Sequence, residues 1–223
     1  MKKIDLICYD FDGTLCNTLP DIVNSMNIVL EENGFLTISE AKVRSFIGSG
    51  ISKLVERSVY CALAGDKNDP VDPGLLKKVG LAMGKHYSAH LMDNSYLYED
   101  TIETLEYFSA YLQIIVSNKP QKMVETMLEH YGIKHYFDLI IGGDTLEVCK
   151  PDPAIWDYIK ERMNLSGDIK GIMVGDSVPD LAFGRIAGLE RIAVTYGYND
   201  LPILQEESAD YFIDHLRELK NII

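Results

Sequence analysis

The sequence is short of positive charge. Aspartate and glutamate number 34 against 21 lysines and arginines, so the 223-residue chain carries a formal net charge of −13 at pH 7. No cluster of basic residues offsets this excess. Such a charge repels polyanions, so we expect no binding to nucleic acid or to an anionic membrane. A small anion can still bind where local cations or a metal reverse the potential.

Cysteine and long apolar runs are also scarce. The cysteines are Cys8, Cys16, Cys61 and Cys149. They show no CxxC spacing, which favours reduced thiols in an intracellular protein. No apolar run approaches the roughly 18 residues of a membrane helix, and Asp5 and Asp10 interrupt anything that resembles a signal peptide. We therefore expect a cytoplasmic protein.

Helical and strand patterns alternate from about residue 97 onward. Apolar runs at 113–117, 137–141 and 170–174 predict strands, and helical patterns separate them. The run at 4–9 predicts a further buried strand. Alternation of this kind predicts an α/β fold with a doubly wound, Rossmann-like parallel sheet and helices on both faces.

The segment between the first strand and this alternating region has a different character. Its apolar residues recur at helical spacing, and it contains no convincing strand. Thr37 and Glu40 are spaced as a capping box, and residues 66–73 predict a polar loop. We therefore predict a core domain formed by residues 1–17 and 91–223, with an all-helical domain, residues 18–90, inserted into it.

Polar side chains follow the predicted strands. They are Asp10, Asp12, Ser117, Asn118, Lys119, Lys150, Asp176 and Asp180. Ligands of open parallel sheets bind at the carboxyl ends of the strands, so we expect these groups to converge. Carboxylate oxygens with open positions for phosphate and water suit Mg²⁺. Asp10 and Asp12 point the same way in an extended chain, about 7 Å apart, so they can share a cation or divide a nucleophile's work from that of a general acid.

Four motifs along the chain carry a resemblance. "DFDGT" at 10–14, "VSNK" at 116–119, "KPDP" at 150–153 and "VGDSVPD" at 174–180 resemble, in this order, the signature motifs of the haloacid dehalogenase-like hydrolase superfamily. The helical insert resembles the cap of that superfamily. "FIGSGISKLVERS" and "VTYGYN" are similar to stretches of its phosphoglycolate phosphatase branch. The resemblance implies a hydrolase core with an inserted helical cap.

The resemblance also implies catalytic roles. Asp10 would be the nucleophile that forms an aspartyl-phosphate. Asp12 would protonate the leaving alkoxide and then deprotonate the attacking water. Lys150 would neutralise the transferring phosphoryl group. A halide leaving group needs no proton, so the presence of Asp12 favours a phosphatase over a dehalogenase.

A metal site and a phosphate site follow from the same resemblance. Asp10, the backbone carbonyl of Asp12 and Asp176 would bind Mg²⁺. Asp180 would either support this site indirectly or be an acidic residue of a helix first turn. The groups expected to hold the phosphoryl oxygens are Gly13, Thr14, Ser117 and Asn118. Lys119 could join them or be solvated.

Substrate choice is expected to depend on the helical insert. "GSG" at 48–50 precedes a predicted helix, so Gly50 would present free amides to an anion, with Arg44 nearby. The alternative is that "GSG" is only a helix-breaking turn. The expected partner is a small phosphorylated metabolite with a second anionic group, and the protein is a monomer or a homodimer.

Several functions stay open from the sequence. The leading interpretation is a magnesium-dependent phosphatase acting on 2-phosphoglycolate. Pyrophosphate, or a sugar or nucleotide monophosphate, is an alternative substrate. A phosphomutase is disfavoured because the insert lacks the histidine and lysine expected before a "GxSR" stretch. A non-catalytic domain that binds phosphate or a partner is the alternative from another class.

Overall fold

The computed structural model describes residues 4–63 and 71–223 of the chain. The chain divides into two compact units, one made of Met1–Asn17 and Leu97–Ile223, the other of Thr18–Tyr96. From the sequence, the inserted domain was predicted to end at residue 90 and the core domain to resume at residue 91. The second unit extends further because the backbone N–H groups of Asn94 and Ser95 donate to the buried Asp21 carboxylate, at 3.0 and 2.8 Å.

The strands are β1 (Leu6–Tyr9), β2 (Cys16–Asn17), β3 (Tyr96–Leu97), β4 (Leu112–Val116), β5 (Leu139–Ile141), β6 (Gly171–Gly175), β7 (Glu190–Val194) and β8 (Tyr211–Ile213). Six of them form the main sheet of the first unit in the order β5-β4-β1-β6-β7-β8. Each neighbouring pair in it is parallel. The predicted parallel α/β sheet is confirmed.

The α-helices are α1 (Leu19–Glu32), α2 (Glu40–Arg44), α3 (Ile51–Ala62), α4 (Pro73–Ala89), α5 (Thr101–Tyr107), α6 (Gln121–His130), α7 (Ala154–Arg162), α8 (Val178–Ala187) and α9 (Leu201–Glu206). The first four belong to the second unit and the other five to the first. No helix in the described part of the chain combines the length and apolar character that a membrane crossing requires.

Strand β1 lies at the centre of the sheet because all of its side chains are apolar enough to be covered on both faces. None of its residues is accessible to solvent. Its last residue, Tyr9, is level with Ile115 of β4 and Val174 of β6. The three strands therefore end together, and the residues that follow them meet at one edge of the sheet.

The second unit is helical, as predicted, and the apolar residues that recur along its helices are buried inside the unit. Val29 of α1, Val59 of α3 and Val79 of α4 are all fully buried. The capping box predicted from Thr37 and Glu40 is wrong, because α2 begins at Glu40 itself and no side chain caps it. Of the loop predicted over 66–73, residues 66–70 lie outside the described residues.

Candidate active site

Asp10 and Lys150 form a buried ion pair at the carboxyl edge of the sheet. Asp10 follows β1 directly, and its backbone N–H donates to the Val174 carbonyl of β6 at 2.9 Å. The Lys150 ammonium donates to Asp10 Oδ1 at 2.9 Å, and the two residues are 5% and 6% exposed. Two residues 140 positions apart are thus joined where the sheet ends.

Asp180 is a second acceptor for the same lysine. Its Oδ1 accepts from Lys150 Nζ at 2.5 Å. Its Oδ2 accepts from both the backbone N–H and the hydroxyl of Ser177, at 2.9 and 2.6 Å. The bond from the Ser177 N–H is part of a capping box at the start of α8. Asp180 is thus an acidic residue of a helix first turn that also contacts Lys150. An indirect role of Asp180 at the metal site stays a prediction.

Asp176 follows β6 and is enclosed by backbone. Its Oδ1 accepts from the Thr14 hydroxyl at 2.9 Å, and its Oδ2 accepts from the Tyr198 N–H at 2.8 Å. The Thr14 hydroxyl therefore contacts Asp176, and the phosphate-binding role expected for Thr14 stays a prediction. A Cβ on Gly13, whose φ is +87°, or on Gly197 would overlap the Asp176 carboxylate. Glycine is required at both positions because the backbone approaches Asp176 so closely.

Asp12 pairs with a different cation. Lys119 Nζ donates to Asp12 Oδ1 at 3.0 Å. Lys119 is 6% exposed, so the expectation of a solvated lysine is wrong. Lysine is rarely buried without a partner, and the acidic residue two positions after Asp10 supplies one.

The motif at the end of β4 forms hydrogen bonds with the backbone of Lys150. Asn118 Oδ1 accepts from the Lys150 N–H at 2.8 Å, and Asn118 Nδ2 donates to the Lys150 carbonyl at 3.3 Å. The Asn118 side chain is therefore committed to the Lys150 backbone, and the role expected for Asn118 toward phosphoryl oxygens stays a prediction. Ser117 is buried beside it, and its Oγ accepts from the Lys119 N–H at 3.4 Å.

Burial and mutual repulsion perturb the carboxylates. Burial first, then the negative charge of Asp180, raise the pKa of Asp10 to about 7, against the lowering effect of Lys150. Burial and the charges of Asp180 and Asp10 raise the pKa of Asp176 well above its ordinary value. Burial alone would lower the pKa of Lys150, but the two carboxylates it contacts raise it above its usual range. The site therefore holds more negative charge than Lys150 balances.

A divalent cation suits this arrangement. Oxygen atoms of Asp10, Asp176 and Asp180 all lie within 4.8 Å of one another. Asp180 already uses both oxygens for Lys150 and Ser177. Asp10 and Asp176 are therefore the carboxylates best placed to bind a metal, and a hard cation with oxygen ligands fits them.

Two predicted residues belong to the other unit. Gly50 immediately precedes α3 with φ +84°, and Arg44 is the last residue of α2. The loop between these helices is fixed by Arg57, which donates to the Phe46 carbonyl at 3.2 Å. The helix predicted after "GSG" is confirmed, and it begins at Ile51. A role of Gly50 and Arg44 in substrate binding stays a prediction.

Residues 196–198 contribute to the site, although the sequence analysis did not predict them as site residues. The segment at 196–198 contributes the Tyr198 N–H on Asp176 and a Tyr196 hydroxyl that donates to the Thr14 carbonyl at 2.8 Å. The signal available in the sequence was "VTYGYN" directly after the run that forms β7, since polar residues after a parallel strand lie at the ligand-binding edge.

Comparison with known proteins agrees with the geometry. The family model of haloacid dehalogenase-like hydrolases matches residues 7–194. The chain is 32% identical to a phosphoglycolate phosphatase of Vibrio cholerae serotype O1 over 225 residues, covering 100% of this chain and 98% of that protein. It is 33% identical over 226 residues to a phosphoglycolate phosphatase of Pasteurella multocida, with 100% of both chains covered.

Solved structures agree as well. A crystal structure of a predicted phosphoglycolate phosphatase from Haemophilus somnus 129PT is 32% identical and superimposes with a TM-score of 0.91, covering 100% of this chain and 99% of that one. A haloacid dehalogenase-like family protein from Streptococcus pneumoniae shares the fold at 21% identity, with a TM-score of 0.85 and 98% of each chain covered. The chain therefore belongs to the haloacid dehalogenase-like hydrolases.

Proposed function

We propose that the chain is a magnesium-dependent phosphatase that hydrolyses a small phosphate monoester through an aspartyl-phosphate on Asp10. The observation that carries the proposal is the pairing of two neighbouring carboxylates with different cations, Asp10 with Lys150 and Asp12 with Lys119. Carboxylates with different partners can perform different steps. The full-length similarity to phosphoglycolate phosphatases supports the same reaction class.

In the first step, a carboxylate oxygen of Asp10 attacks phosphorus and the bond from phosphorus to the ester oxygen breaks. Lys150, which contacts Asp10 Oδ1, stabilises negative charge on the phosphoryl group as it transfers. The Ser117 hydroxyl is a candidate donor from the β4 motif to a phosphoryl oxygen. Bound Mg²⁺, held by Asp10, the Asp12 carbonyl and Asp176, would reduce the repulsion between the anionic ester and the carboxylates.

Asp12 moves the proton in both steps. It donates a proton to the departing alkoxide and then accepts one from the water that attacks phosphorylated Asp10. The second displacement releases phosphate and restores the Asp10 carboxylate. Lys119, which donates to Asp12 Oδ1, fixes the position of the Asp12 carboxylate for these transfers.

The proposed substrate is 2-phosphoglycolate, which carries a carboxylate besides its phosphate. The relatives that cover the whole chain are named for this activity. In the second unit, the amides that begin α3 at Gly50 are the candidate group for recognising that carboxylate. α3 has 12 residues, long enough for its N-terminus to carry an appreciable partial positive charge.

Hydrolysis of p-nitrophenyl phosphate with and without Mg²⁺ tests the reaction class. Wild type should turn over only with Mg²⁺, and Asp10→Asn should be inactive because an amide is a poor nucleophile. Asp157→Asn, an exposed acid on α7, is the matched control and should behave as wild type. Absence of turnover by wild type across a broad panel of phosphate esters would reject the enzyme and leave the non-catalytic binding domain.

A further inference from the structure

The segment Tyr196, Gly197 and Tyr198 follows β7 and is not part of the four sequence motifs. It contacts the candidate metal site through the Tyr198 N–H, which donates to Asp176. We propose that it positions the carboxylate of Asp176 for Mg²⁺, and that Tyr196 does so through Thr14. The proposal deepens the proposed function and rests on it for the identity of the metal. The three residues act on the metal site through Asp176 and Thr14 and are not proposed to contact substrate. We therefore describe them as positioning residues.

The first support is the hydrogen bonding of Asp176. Each of its oxygens accepts one hydrogen bond, Oδ1 from the Thr14 hydroxyl at 2.9 Å and Oδ2 from the Tyr198 N–H at 2.8 Å. Two donors on opposite oxygens fix the rotation of the carboxylate. A carboxylate oxygen has a further lone pair, so Asp176 keeps acceptor capacity for a cation.

The second support is the tie between the two donors. Tyr196 donates its hydroxyl to the Thr14 carbonyl at 2.8 Å, so the segment that supplies one donor also holds the residue that supplies the other. The Tyr196 ring packs against Tyr98, with ring centroids 4.6 Å apart. The backbone of Tyr98 donates to the Leu15 carbonyl at 3.0 Å, which anchors the same loop one residue further along.

The third support is steric. Gly197 approaches Asp176 so closely that a Cβ would overlap its side chain, and a Cβ on Gly13 would overlap it as well. Asp176 is thus held between two backbone segments and is 1% exposed. Groups that orient metal ligands in this way typically change metal affinity by about 10- to 100-fold when they are removed.

Calorimetric titration of the whole protein with MgCl₂, in the absence of any substrate, tests the proposal. Tyr196→Phe removes one hydroxyl and keeps the ring, so the Mg²⁺ Kd should rise about tenfold, at the lower end of that range because Tyr196 acts through Thr14. Tyr9→Phe is the matched control. It deletes another tyrosine hydroxyl of the same unit, which donates to Gln113 at 3.2 Å, and should leave the Kd unchanged.

A purely structural role would give a different pattern. In that case Tyr196→Phe would lower the melting temperature as Tyr9→Phe does, with no change in the Mg²⁺ Kd, and the proposal would fail. Gly197→Ala provides a stronger perturbation and should weaken Mg²⁺ binding further; an unchanged Kd in that variant, with circular dichroism showing a folded protein, would also overturn it. Wild type without Mg²⁺ binding would do the same.

The binding experiment is independent of turnover. If wild type binds Mg²⁺ and Tyr196→Phe weakens it, the positioning role stands even where no phosphate ester is hydrolysed. With an active enzyme, the Mg²⁺ concentration for half-maximal rate should rise in Tyr196→Phe, while the substrate KM at saturating Mg²⁺ stays as in wild type.

Discussion

The Lys119 ammonium lies 3.0 Å from the Asp12 carboxylate, and the side chains are 3% and 13% exposed. A buried lysine is costly without a counter-charge, and the Asp12 carboxylate supplies one. The Asp10–Lys150 pair uses a different cation, although the Asp12 charge also acts on Asp10. The catalytic division proposed between the two acids depends on this difference in partners.

Replacing Lys119 tests whether its charge serves catalysis. Lys119→Met should lower kcat/KM, by less than the roughly 10²- to 10⁴-fold that a general acid itself contributes, because Asp12 remains but loses its fixed position. Lys122→Met, an exposed lysine on the adjoining helix, is the control and should match wild type. Equal rates for the two variants would show that Lys119 serves the fold alone.

Asp12 is expected to act on the leaving group. Asp12→Ala should lose less activity with p-nitrophenyl phosphate than with an alkyl phosphate, because p-nitrophenolate leaves readily without a proton. Steady-state kcat/KM for the two esters, in wild type and variant, gives the comparison. Losses of the same size with both esters would rule out the general-acid role.

Asp180 should matter more through Lys150 than through its helix cap. Asp180→Asn keeps an acceptor for Ser177 but removes the charge facing Lys150, so kcat should fall about 10- to 100-fold, less than the loss of a group that touches the reacting charge. Ser177→Ala removes a hydroxyl contact of Asp180 but keeps the Asp180 charge that faces Lys150, so it should cost about 1 kcal/mol of unfolding free energy with a small effect on rate. A larger kcat loss in Ser177→Ala than in Asp180→Asn would contradict this assignment.

Mg²⁺ should stabilise the protein more at high pH than at low pH. The pKa of Asp10 is raised from 3.8 to about 7, mainly by burial and then by Asp180. Without metal, native Asp10 therefore retains a proton that the unfolded chain has lost, and the stability this group contributes falls as pH rises from about 4 to about 7. Mg²⁺ binds the ionised form, so its binding competes with that proton.

Melting temperatures with and without MgCl₂, at about pH 5.5 and about pH 8, measure this coupling. The gain in melting temperature should be larger at the higher pH in wild type and smaller at both values in Asp10→Asn. Gains that are independent of pH would mean that Asp10 does not exchange a proton for the metal.

The sequence predicted those features that depend on local patterns. The apolar run ending at Tyr9 predicted a buried strand, and the acids directly after strands, Asp10 and Asp176, are brought together because parallel strands end at one edge. The capping box at Thr37 failed because helix starts depend on local dihedral angles that spacing alone does not determine.

Other features of the site could not be read from the sequence. The Lys119–Asp12 pair joins residues 107 positions apart, and the Thr14–Asp176 hydrogen bond joins residues 162 apart. A motif places each of these residues at the edge of the sheet, but which donor meets which acceptor is set by side-chain packing. The pairing therefore becomes visible only in three dimensions.

The aspartyl-phosphate can be sought in a rapid-quench single turnover with Mg²⁺ and a phosphate monoester, followed by mass spectrometry of the acid-quenched peptides. We expect a transient phosphoryl group on Asp10 of the wild type. It should be absent in Asp10→Asn and longer-lived in Asp12→Ala, which lacks the base for the attacking water. Hydrolysis by wild type with no phosphoryl group on Asp10, or with one on another residue, would contradict the proposed mechanism.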